Sequence, residues 1–369
     1  MSEARAELAG WLRLTRTPGV GNQTRRLLLK TFGLPDAIFS AGRSALAGAV
    51  GERLAESLLA SDVAAADIDT ALAWAAQAGN RILSLADPDY PQALLTSDDP
   101  PLLLYVRGRV ELLARPILAV VGSRNATAQG ERDATAFAEA LGHAGLTIVS
   151  GLALGIDAAA HRGALATAAG TVAVIGTGAD RLYPARNEAL ARAIAEQGVI
   201  LSEFPLGTPA LAANFPRRNR VIAGLGLGCL VVEAAPRSGS LITARLAAEA
   251  GREVFAIPGS IHSPLSRGCH QLIRQGAKLV ESAQDILEEL RWNSMPLGKV
   301  GAGDTATLLP KTEDKEEQVL TVMGRAPCDL DTLAARSGLT PAGLLAMLLP
   351  LELGGRIAQL PGGLYQRLD

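Results

Sequence analysis

The sequence predicts an α/β protein, with a Rossmann-like doubly wound parallel sheet flanked by a helical N-terminal domain and a C-terminal winged-helix domain. Two observations indicate the sheet: short apolar runs recur along the middle of the chain, and Ala-rich stretches with helical spacing separate them. Strands that are apolar on both faces and alternate with helices form parallel sheets covered on both sides. The predicted strands are 117–121, 146–149, 171–175, 199–201, 229–232 and 254–257.

The stretches between these strands predict helices, because their apolar residues recur at the spacing of one helix face. Ligands of doubly wound sheets bind beyond the carboxyl ends of the strands, so functional residues are expected in the loops that follow them. The predicted helices lie near 129–144, 156–168, 188–197, 241–250 and 268–275.

The flanking segments differ in composition from the middle of the chain, and they set the predicted domain boundaries. These are 1–80 for a helical, SAM-like domain, 81–291 for the extended Rossmann-like domain, 292–314 for a linker rich in Gly and Pro, and 315–369 for the winged helix. The last domain reads as helices at 316–323, 330–337 and 340–353, followed by a hairpin at 354–368. Since 344–353 holds no Lys or Arg, we expect the third helix to pack or bind a partner rather than read the major groove of DNA.

Composition narrows the function classes. The 369 residues are 48% hydrophobic and 20% charged, which excludes disorder as the main state. The longest uncharged apolar run, 221–232, is too short to span a membrane, and no signal peptide is visible, so a cytoplasmic protein is expected. Three distant cysteines predict no disulfide framework. The net charge is −2, yet 205–278 holds nine Lys and Arg against three Glu, which indicates a confined anion site.

The first strand-end loop carries residues suited to an anion. Gly122 lets a ligand approach the backbone, Ser123 donates hydrogen bonds, and Arg124 offers a planar fork to a phosphate. The loop fits neither the dinucleotide nor the ATP-binding glycine pattern, so no cofactor is expected.

In the second loop, Asp157 and His161 face the same side of a helix start. An acid–base role is possible for this pair, but a structural role is favoured because no nucleophile is nearby.

Two further loops complete the predicted site. Residues 214–220 combine Phe215 with cations and amides (Arg217, Arg218, Asn219 and Arg220), which suits the phosphates and bases of a single strand. The alternative is a helix N-terminus with Phe215 in the core. The second segment predicts an anion-binding turn at the start of a helix, and the alternative is a serine-capped helix. It consists of Arg237, Ser238, Gly239 and Ser240. Cys269, His262 and His270 match no common zinc spacing, so no metal is expected.

Taken together, these loops resemble the DprA/Smf family of DNA-processing proteins, and the resemblance extends from about residue 87 to 287. The segments that carry it are GSR, SGLALGID, GTGADRLYPARN, FPRRNRVIAGL, RSGSLITA and FAIPG, at 122–124, 150–157, 176–187, 215–225, 237–244 and 255–259. Upstream, DPDYPQAL and DPPLLLYVRG match the entry segment of the same family, at 87–94 and 99–108.

The resemblance implies a non-catalytic, homodimeric protein that binds and protects single-stranded DNA. It further implies loading of a RecA-type recombinase onto strands coated by single-strand-binding protein, in natural transformation. By motif, Arg124 would grip phosphate and Phe215 would stack on a base, with Arg217, Arg218, Arg220 and the 238–240 turn lining the same pocket. One departure concerns 210–213, which is uncharged here, whereas some relatives carry a basic residue just before the Phe.

The sequence leaves two other functions open. Nucleoside-monophosphate phosphoribohydrolases share a related sheet and a Gly-rich turn, but their PGGxGTxxE signature has no counterpart here. The matching segment, 237–244, is followed by no glutamate before Glu249, so a general acid/base is missing. A sequence-specific double-strand binder would use the winged helix, and the apolar third helix argues against it.

Overall fold

The computed structural model describes residues 3–60, 65–292, 319–320, 322–323, 328–337, 344, 347–348, 351, 356–360 and 364–368. The chain divides into two compact units, Met1–Leu297 and Gly298–Asp369. The helical N-terminal segment therefore belongs to the same unit as the large sheet. The predicted linker, apart from Trp292, lies outside the described residues.

A single large sheet organises the first unit, and nine strands of the described chain form it. The six runs predicted from the sequence all form strands. In spatial order the strands are β1 (Asn80–Ser84), β2 (Leu103–Gly108), β6 (Val199–Ser202), β5 (Thr171–Val174), β4 (Thr147–Ser150), β3 (Ile117–Val121), β7 (Gly228–Val231), β8 (Glu253–Ala256) and β9 (Lys278–Leu279).

The sheet is parallel from β6 to β9 and gains two antiparallel strands at one edge. β2 pairs antiparallel with β6, and β1 pairs antiparallel with β2. The segment 80–108 thus contributes two strands to the sheet. It covers the edge strand β6 that would otherwise expose unpaired backbone groups.

Helices cover both faces of the sheet, as the doubly wound prediction requires. Ile117, Ala119 and Val121 of β3 pack in one apolar cluster, whereas Leu118 and Val120 pack in another on the opposite face. The helices after β3 are α8 (Ala128–His143), α9 (Ile156–Leu165), α10 (Glu188–Gln197), α11 (Asn214–Leu225), α12 (Ser240–Glu249), α13 (Arg267–Arg274) and α14 (Ala283–Glu289). The five predicted helices are confirmed. Two of the seven, α11 and α14, are additional, and α11 begins in the segment 214–220, which was predicted as a loop with a helix N-terminus as the alternative.

The N-terminal segment forms a helical module, as predicted, and packs on the antiparallel edge of the sheet. Trp11 and Trp74 of this module share an apolar cluster with Leu103 and Tyr105 of β2. The rings of Trp74 and Tyr105 meet edge to face, with centroids 5.9 Å apart. Its described helices are α1 (Glu3–Arg16), α2 (Asn22–Phe32), α3 (Pro35–Ser40), α4 (Arg43–Val50), α5 (Glu52–Leu59) and α6 (Ala65–Ala75), and the short α7 (Gln92–Leu95) follows β1.

The order of the strands fixes where a ligand would bind. From β3 the chain proceeds outward through β4, β5 and β6, and then returns to place β7 on the other side of β3. The loops after β3 and β7 therefore diverge at their carboxyl ends. Such a topological switch point leaves a crevice, which is where doubly wound sheets bind their ligands.

The second unit contains a small sheet in the order β10 (Cys328–Asp329), β12 (Leu364–Arg367), β11 (Ile357–Leu360), with α15 (Leu330–Ser337) after β10. The predicted second helix and the hairpin are confirmed. Most of the predicted first and third helices lies outside the described residues. The described apolar positions of the third, Leu344, Leu348 and Leu351, are buried in the core of this unit, in keeping with a packing role.

Two further sequence expectations bear on the described residues. The three cysteines Cys229, Cys269 and Cys328 are free and buried, and no disulfide joins them. None of the described helices combines the length and the apolar character needed to cross a membrane.

Helices α8 and α9 pack closely enough for a glycine to be required, and this predicts a stability effect. A Cβ at Gly163 of α9 would overlap the carbonyl oxygen of Thr135 on α8. We expect Gly163→Ala to lower the free energy of unfolding by about 1–3 kcal/mol through overpacking. The control is Gly48→Ala in α4, where a Cβ meets nothing within 4 Å and helix propensity favours Ala. Urea unfolding of both variants checks this; equal stabilities would contradict it.

Candidate functional site

A cavity of about 740 Å³ opens at the switch point, beyond the carboxyl ends of the parallel strands. The loops after β3, β4, β5 and β7 and the first turns of α11 and α12 surround it. Ten of the twelve predicted site residues line it: Gly122, Ser123, Arg124, Phe215, Arg218, Asn219, Arg237, Ser238, Gly239 and Ser240.

The loop after β3 presents Arg124 to this cavity. The amide N–H of Ser123 donates to the carbonyl of Glu233 at 2.7 Å, and the hydroxyl of Ser123 accepts from the N–H of Asn125. Ser123 is buried by these contacts, while Arg124 is exposed. The backbone is therefore fixed beside β7, and the Arg124 side chain is exposed at the cavity.

Glu233, which the sequence does not predict as a site residue, holds this loop in place. Its two carboxylate oxygens accept hydrogen bonds from the N–H of Thr127 at 2.9 Å and from the Thr127 hydroxyl at 2.6 Å. The Thr127 hydroxyl in turn accepts from the N–H of Gly130 and caps α8. One side chain thus connects the end of β7 to the start of α8, and no local pattern marks a contact across 106 residues.

Arg218 is the central charge of the site. Its side chain is only 5% exposed, and its guanidinium lies directly on the backbone of Gly151, where any Cβ would overlap it. Within the described part of the chain, no carboxylate comes within ion-pairing distance of Arg218 and its Nε has no hydrogen-bond partner. A buried charge without a direct partner is costly, so this guanidinium is poised to receive an anion or a carbonyl oxygen.

The electrostatic environment keeps Arg218 charged at neutral pH. Burial lowers the pKa of Arg218 to about 10, the nearby Asp157 raises it, and Arg124 lowers it further. Burial also raises the pKa of Asp157, which the positive charge of Arg218 opposes. The two arginines repel each other, and an anion bound between them would relieve that repulsion.

Phe215 stands at the edge of the cavity on the first turn of α11. Its ring packs over Gly176 after β5, where a Cβ would lie 3.1 Å from the ring. Asn214 fixes the start of this helix, because its side-chain amide donates to the carbonyl of Gly176 at 3.1 Å. The guanidinium of Arg124 lies 5.3 Å from the ring centroid, and the ring of Tyr183 lies at 5.8 Å. Phe215 is therefore half-buried rather than a core residue.

The turn before α12 closes the opposite side of the cavity. The hydroxyls of Ser238 and Ser240 are 2.7 Å apart, and the side-chain amide of Asn219 donates to the carbonyl of Gly239 at 3.2 Å. A Cβ at Gly239 would meet nothing within 4 Å, so the space above this turn is open to a ligand. The backbone N–H groups at the start of α12 suit an anion there.

Two predicted residues, Arg217 and Arg220, do not line the cavity. The segment 214–220 is predicted as a loop, with a helix N-terminus as the alternative, and the structure shows the helix, because α11 begins at Asn214. Successive helix residues are rotated by about 100°, so Phe215, Arg218 and Asn219 share one face while Arg217 and Arg220 point away from it. Arg217 instead lies over the ring of Phe204, 5.5 Å from its centroid.

Arg220 belongs to an ionic network that joins α11 to the N-terminal module. Its guanidinium pairs with Glu203 and donates to the carbonyl of Asp99. The carboxylate of Asp99 also pairs with Arg26 of α2 at 2.9 Å. Burial raises the pKa of Glu203, and the charge of Arg220 opposes that rise. The network holds the helix that carries Phe215 and Arg218.

Asp157 and His161 have the structural role favoured in the sequence analysis. The Asp157 carboxylate accepts from the N–H groups of Gly151 and Ala153 at 3.1 and 3.4 Å. His161 Nε2 accepts from the N–H of Leu152 at 3.2 Å, and its Nδ1 lies 2.7 Å from the hydroxyl of Thr171, which itself donates to a backbone carbonyl. His161 is fully buried, and burial lowers its pKa to about 3. The pair shapes the loop under Arg218.

In the described ranges, no group of three or more His, Cys, Asp or Glu is arranged to hold a metal ion. His270 instead bonds to the backbone of Gly259, with Nε2 at 3.0 Å from the carbonyl oxygen. Cys269 is buried under β7.

Comparison with known proteins identifies the family. A family model for DNA recombination-mediator protein A matches residues 81–291, and a model for the DprA winged helix domain matches residues 304–363. The chain belongs to the DprA/Smf family. It is 44% identical over 305 residues to the protein Smf of Escherichia coli, which covers 82% of this chain and 81% of that protein. It is 50% identical over 209 residues to the DNA processing protein DprA of Streptococcus pneumoniae, covering 57% and 74%.

Solved structures of DprA proteins share the fold. The crystal structure of DprA from Streptococcus pneumoniae matches with a TM-score of 0.67 and 40% identity, over 76% of this chain and 97% of that one. A structure addressing the single-stranded DNA binding mode of DNA processing protein A from Helicobacter pylori matches with a TM-score of 0.52 and 30% identity, over 57% and 95%.

The Arg220 network predicts a stability effect that is separate from ligand binding. Arg220→Met leaves the largely buried Glu203 carboxylate without its main partner, so we expect the free energy of unfolding to fall by about 3 kcal/mol. Replacing both residues, as Arg220→Met with Glu203→Leu, removes the uncompensated charge and recovers much of this loss. Urea unfolding measures both; a double variant no more stable than Arg220→Met contradicts the assignment.

The buried His161 predicts a pH dependence of stability. Its pKa is lowered to about 3 in the folded protein and is about 6.5 when unfolded, so only the unfolded chain gains a proton between these values. The contribution of His161 to the free energy of unfolding is therefore fully present above pH 6.5 and is lost progressively as the pH falls towards 3. Between pH 7 and 5 the loss amounts to about 2 kcal/mol.

The measurement is urea unfolding at pH 7, 6 and 5. His161→Gln removes the titrating ring, so its free energy of unfolding is expected to fall less with decreasing pH than that of the natural sequence. His143→Gln, at an exposed position of α8, is the matched control for the substitution. An unchanged slope in His161→Gln would show that another group dominates.

Proposed function

We propose that this chain binds single-stranded DNA in the switch-point cavity. The observation that carries the proposal is the buried Arg218, which lines the cavity together with Arg124 and Phe215 and has no ion-paired carboxylate among the described residues. Cations for phosphates and an aromatic ring for a base are what an unpaired strand requires. The likeness to the Helicobacter pylori protein, whose structure concerns single-stranded DNA binding, supports the same assignment.

The cavity favours an unpaired strand over a duplex. Phe215 is half-buried at the rim, and a base can reach its ring only when that base is free of its complementary partner. Arg218 lies deeper still, at 5% exposure, so a rigid double helix would have to deform before touching it. We therefore expect single-stranded oligonucleotides to bind more tightly than duplexes of the same sequence.

A hydrolase function has weaker support. Glu233 is the glutamate beside the cavity loops, but both of its carboxylate oxygens accept hydrogen bonds from Thr127. Glu249 ends α12 and pairs with Arg245 at 3.7 Å. Incubation with nucleoside monophosphates and assay for the released base test this alternative, and we expect no turnover. Base release at an enzymatic rate would overturn the binding-protein assignment.

We further propose that bound DNA is passed to a RecA-type recombinase during natural transformation, a role that takes place in the cytoplasm. The protein would act as a homodimer on strands coated by single-strand-binding protein. The test is joint-molecule formation by the recombinase on coated strands, with and without this protein. Stimulation by the natural sequence and none by Arg124→Ala is expected. Equal rates without the protein, with the natural protein and with Arg124→Ala would contradict recombinase loading, while the proposed DNA binding would still stand.

Salt dependence tests the phosphate contact of Arg124. A cation that neutralises one phosphate of a single strand adds about 0.7 to the slope of log affinity against log salt. We expect Arg124→Ala to lose that increment and to bind dT20 about tenfold more weakly. Arg132→Ala is the control, because Arg132 is exposed on α8 and contacts Gln129 rather than the cavity. Fluorescence anisotropy at several salt concentrations decides: equal slopes for both variants remove Arg124 from the site.

A further inference from the structure

Tyr183 is an aromatic residue to which the proposed DNA-binding function assigns no role. The residue is 47% exposed. The other exposed large hydrophobic residues of the described chain are all leucine or isoleucine. The Tyr183 hydroxyl makes no hydrogen bond to the described protein. Single exposed apolar residues are common in proteins, so its exposure alone assigns nothing. Its position is more informative.

The ring of Tyr183 lies in the wall of the switch-point cavity, next to Phe215. The two centroids are 5.8 Å apart and the ring planes are inclined by 40°. Phe215 is already in contact with Gly176 and with the guanidinium of Arg124, and it is half-buried. Tyr183 therefore contributes the more accessible aromatic surface of the pair.

The loop that carries Tyr183 is fixed on both sides of it. Before the tyrosine, the Thr177 hydroxyl donates to the carbonyl of Arg181 at 2.8 Å. After it, the side-chain amide of Asn187 donates to the carbonyls of Leu152 and Ala153 at 2.9 and 3.1 Å. A ring presented by an anchored backbone loses little conformational entropy when a ligand stacks on it.

We propose that Tyr183 is a second base-stacking residue of the site, and that it receives the nucleobase next to the one at Phe215. This rests on the proposed function, because it requires single-stranded DNA in the cavity. Every nucleobase has a π face, so stacking on two adjacent rings adds affinity without sequence preference. Arg124 at the same wall is available for the phosphate that joins the two nucleotides.

The experiment compares Tyr183→Ala and Tyr183→Phe with the natural sequence, using dT20 and a 20-nucleotide abasic strand as probes. Tyr183→Ala removes the ring and is expected to weaken dT20 binding about tenfold. Tyr183→Phe keeps the ring and stays within about twofold of the natural protein. The abasic strand has no base to stack, so the natural protein and Tyr183→Ala bind it equally. Leu34→Ala, at the exposed residue just before α3 in the N-terminal module, is the control.

The salt slope separates stacking from a phosphate contact. Because tyrosine carries no charge, Tyr183→Ala is expected to keep the natural slope. The inference is overturned if Tyr183→Ala binds dT20 as tightly as the natural protein while Phe215→Ala binds it more weakly. It is also overturned if Tyr183→Ala loses as much affinity for the abasic strand as for dT20. Failure of the proposed function looks different: neither the natural protein nor any variant then binds dT20.

Photo-crosslinking provides a readout that does not depend on a variant folding. A strand containing 5-iodouracil at successive positions is irradiated with the natural protein, and the crosslinked peptide is identified by mass spectrometry. Crosslinks at Tyr183 and Phe215 from adjacent positions of the strand support the proposal. Crosslinks at Phe215 without any at Tyr183 overturn it.

Discussion

The burial of one positive charge underlies the whole site. Arg218 lies on the backbone of Gly151 with 5% exposure, and the described chain supplies it with no ion-paired carboxylate. Desolvation of a guanidinium is unfavourable, and here only the more distant Asp157 offsets it. An arrangement of this kind is stable enough to fold yet gains when an anion enters. Under the proposed function, the position of Arg218 couples the fold to DNA binding.

The fold positions this charge through contacts between distant segments. Loops after β3 and β7 separate at the switch point, and Glu233, Asn214 and Asn219 each bond a cavity element to a different neighbour. The loops are therefore held before any ligand arrives. Hydrogen-bond donors and aromatic rings that are already held in place raise affinity, because they lose little conformational entropy when the ligand binds.

The sequence predicted the architecture well because the strands and helices follow local hydrophobic spacing. Arg124 and Phe215 were also predicted, since a cation and an aromatic ring at strand ends suggest nucleic acid. Arg217 and Arg220 lie outside the cavity because 214–220 is helical rather than a loop, and the helical repeat places these two on the far face of α11. Their partners, Phe204 and Glu203, could not be predicted, because such contacts depend on the tertiary structure.

A crystal structure of the protein with dT6 tests the central claim most directly, because it locates the strand relative to Arg218. The account predicts an oxygen of the DNA, from a phosphate or a base, within hydrogen-bonding distance of the Arg218 guanidinium, with a base against Phe215. DNA bound on another face of the molecule, with the cavity occupied only by solvent, would contradict it.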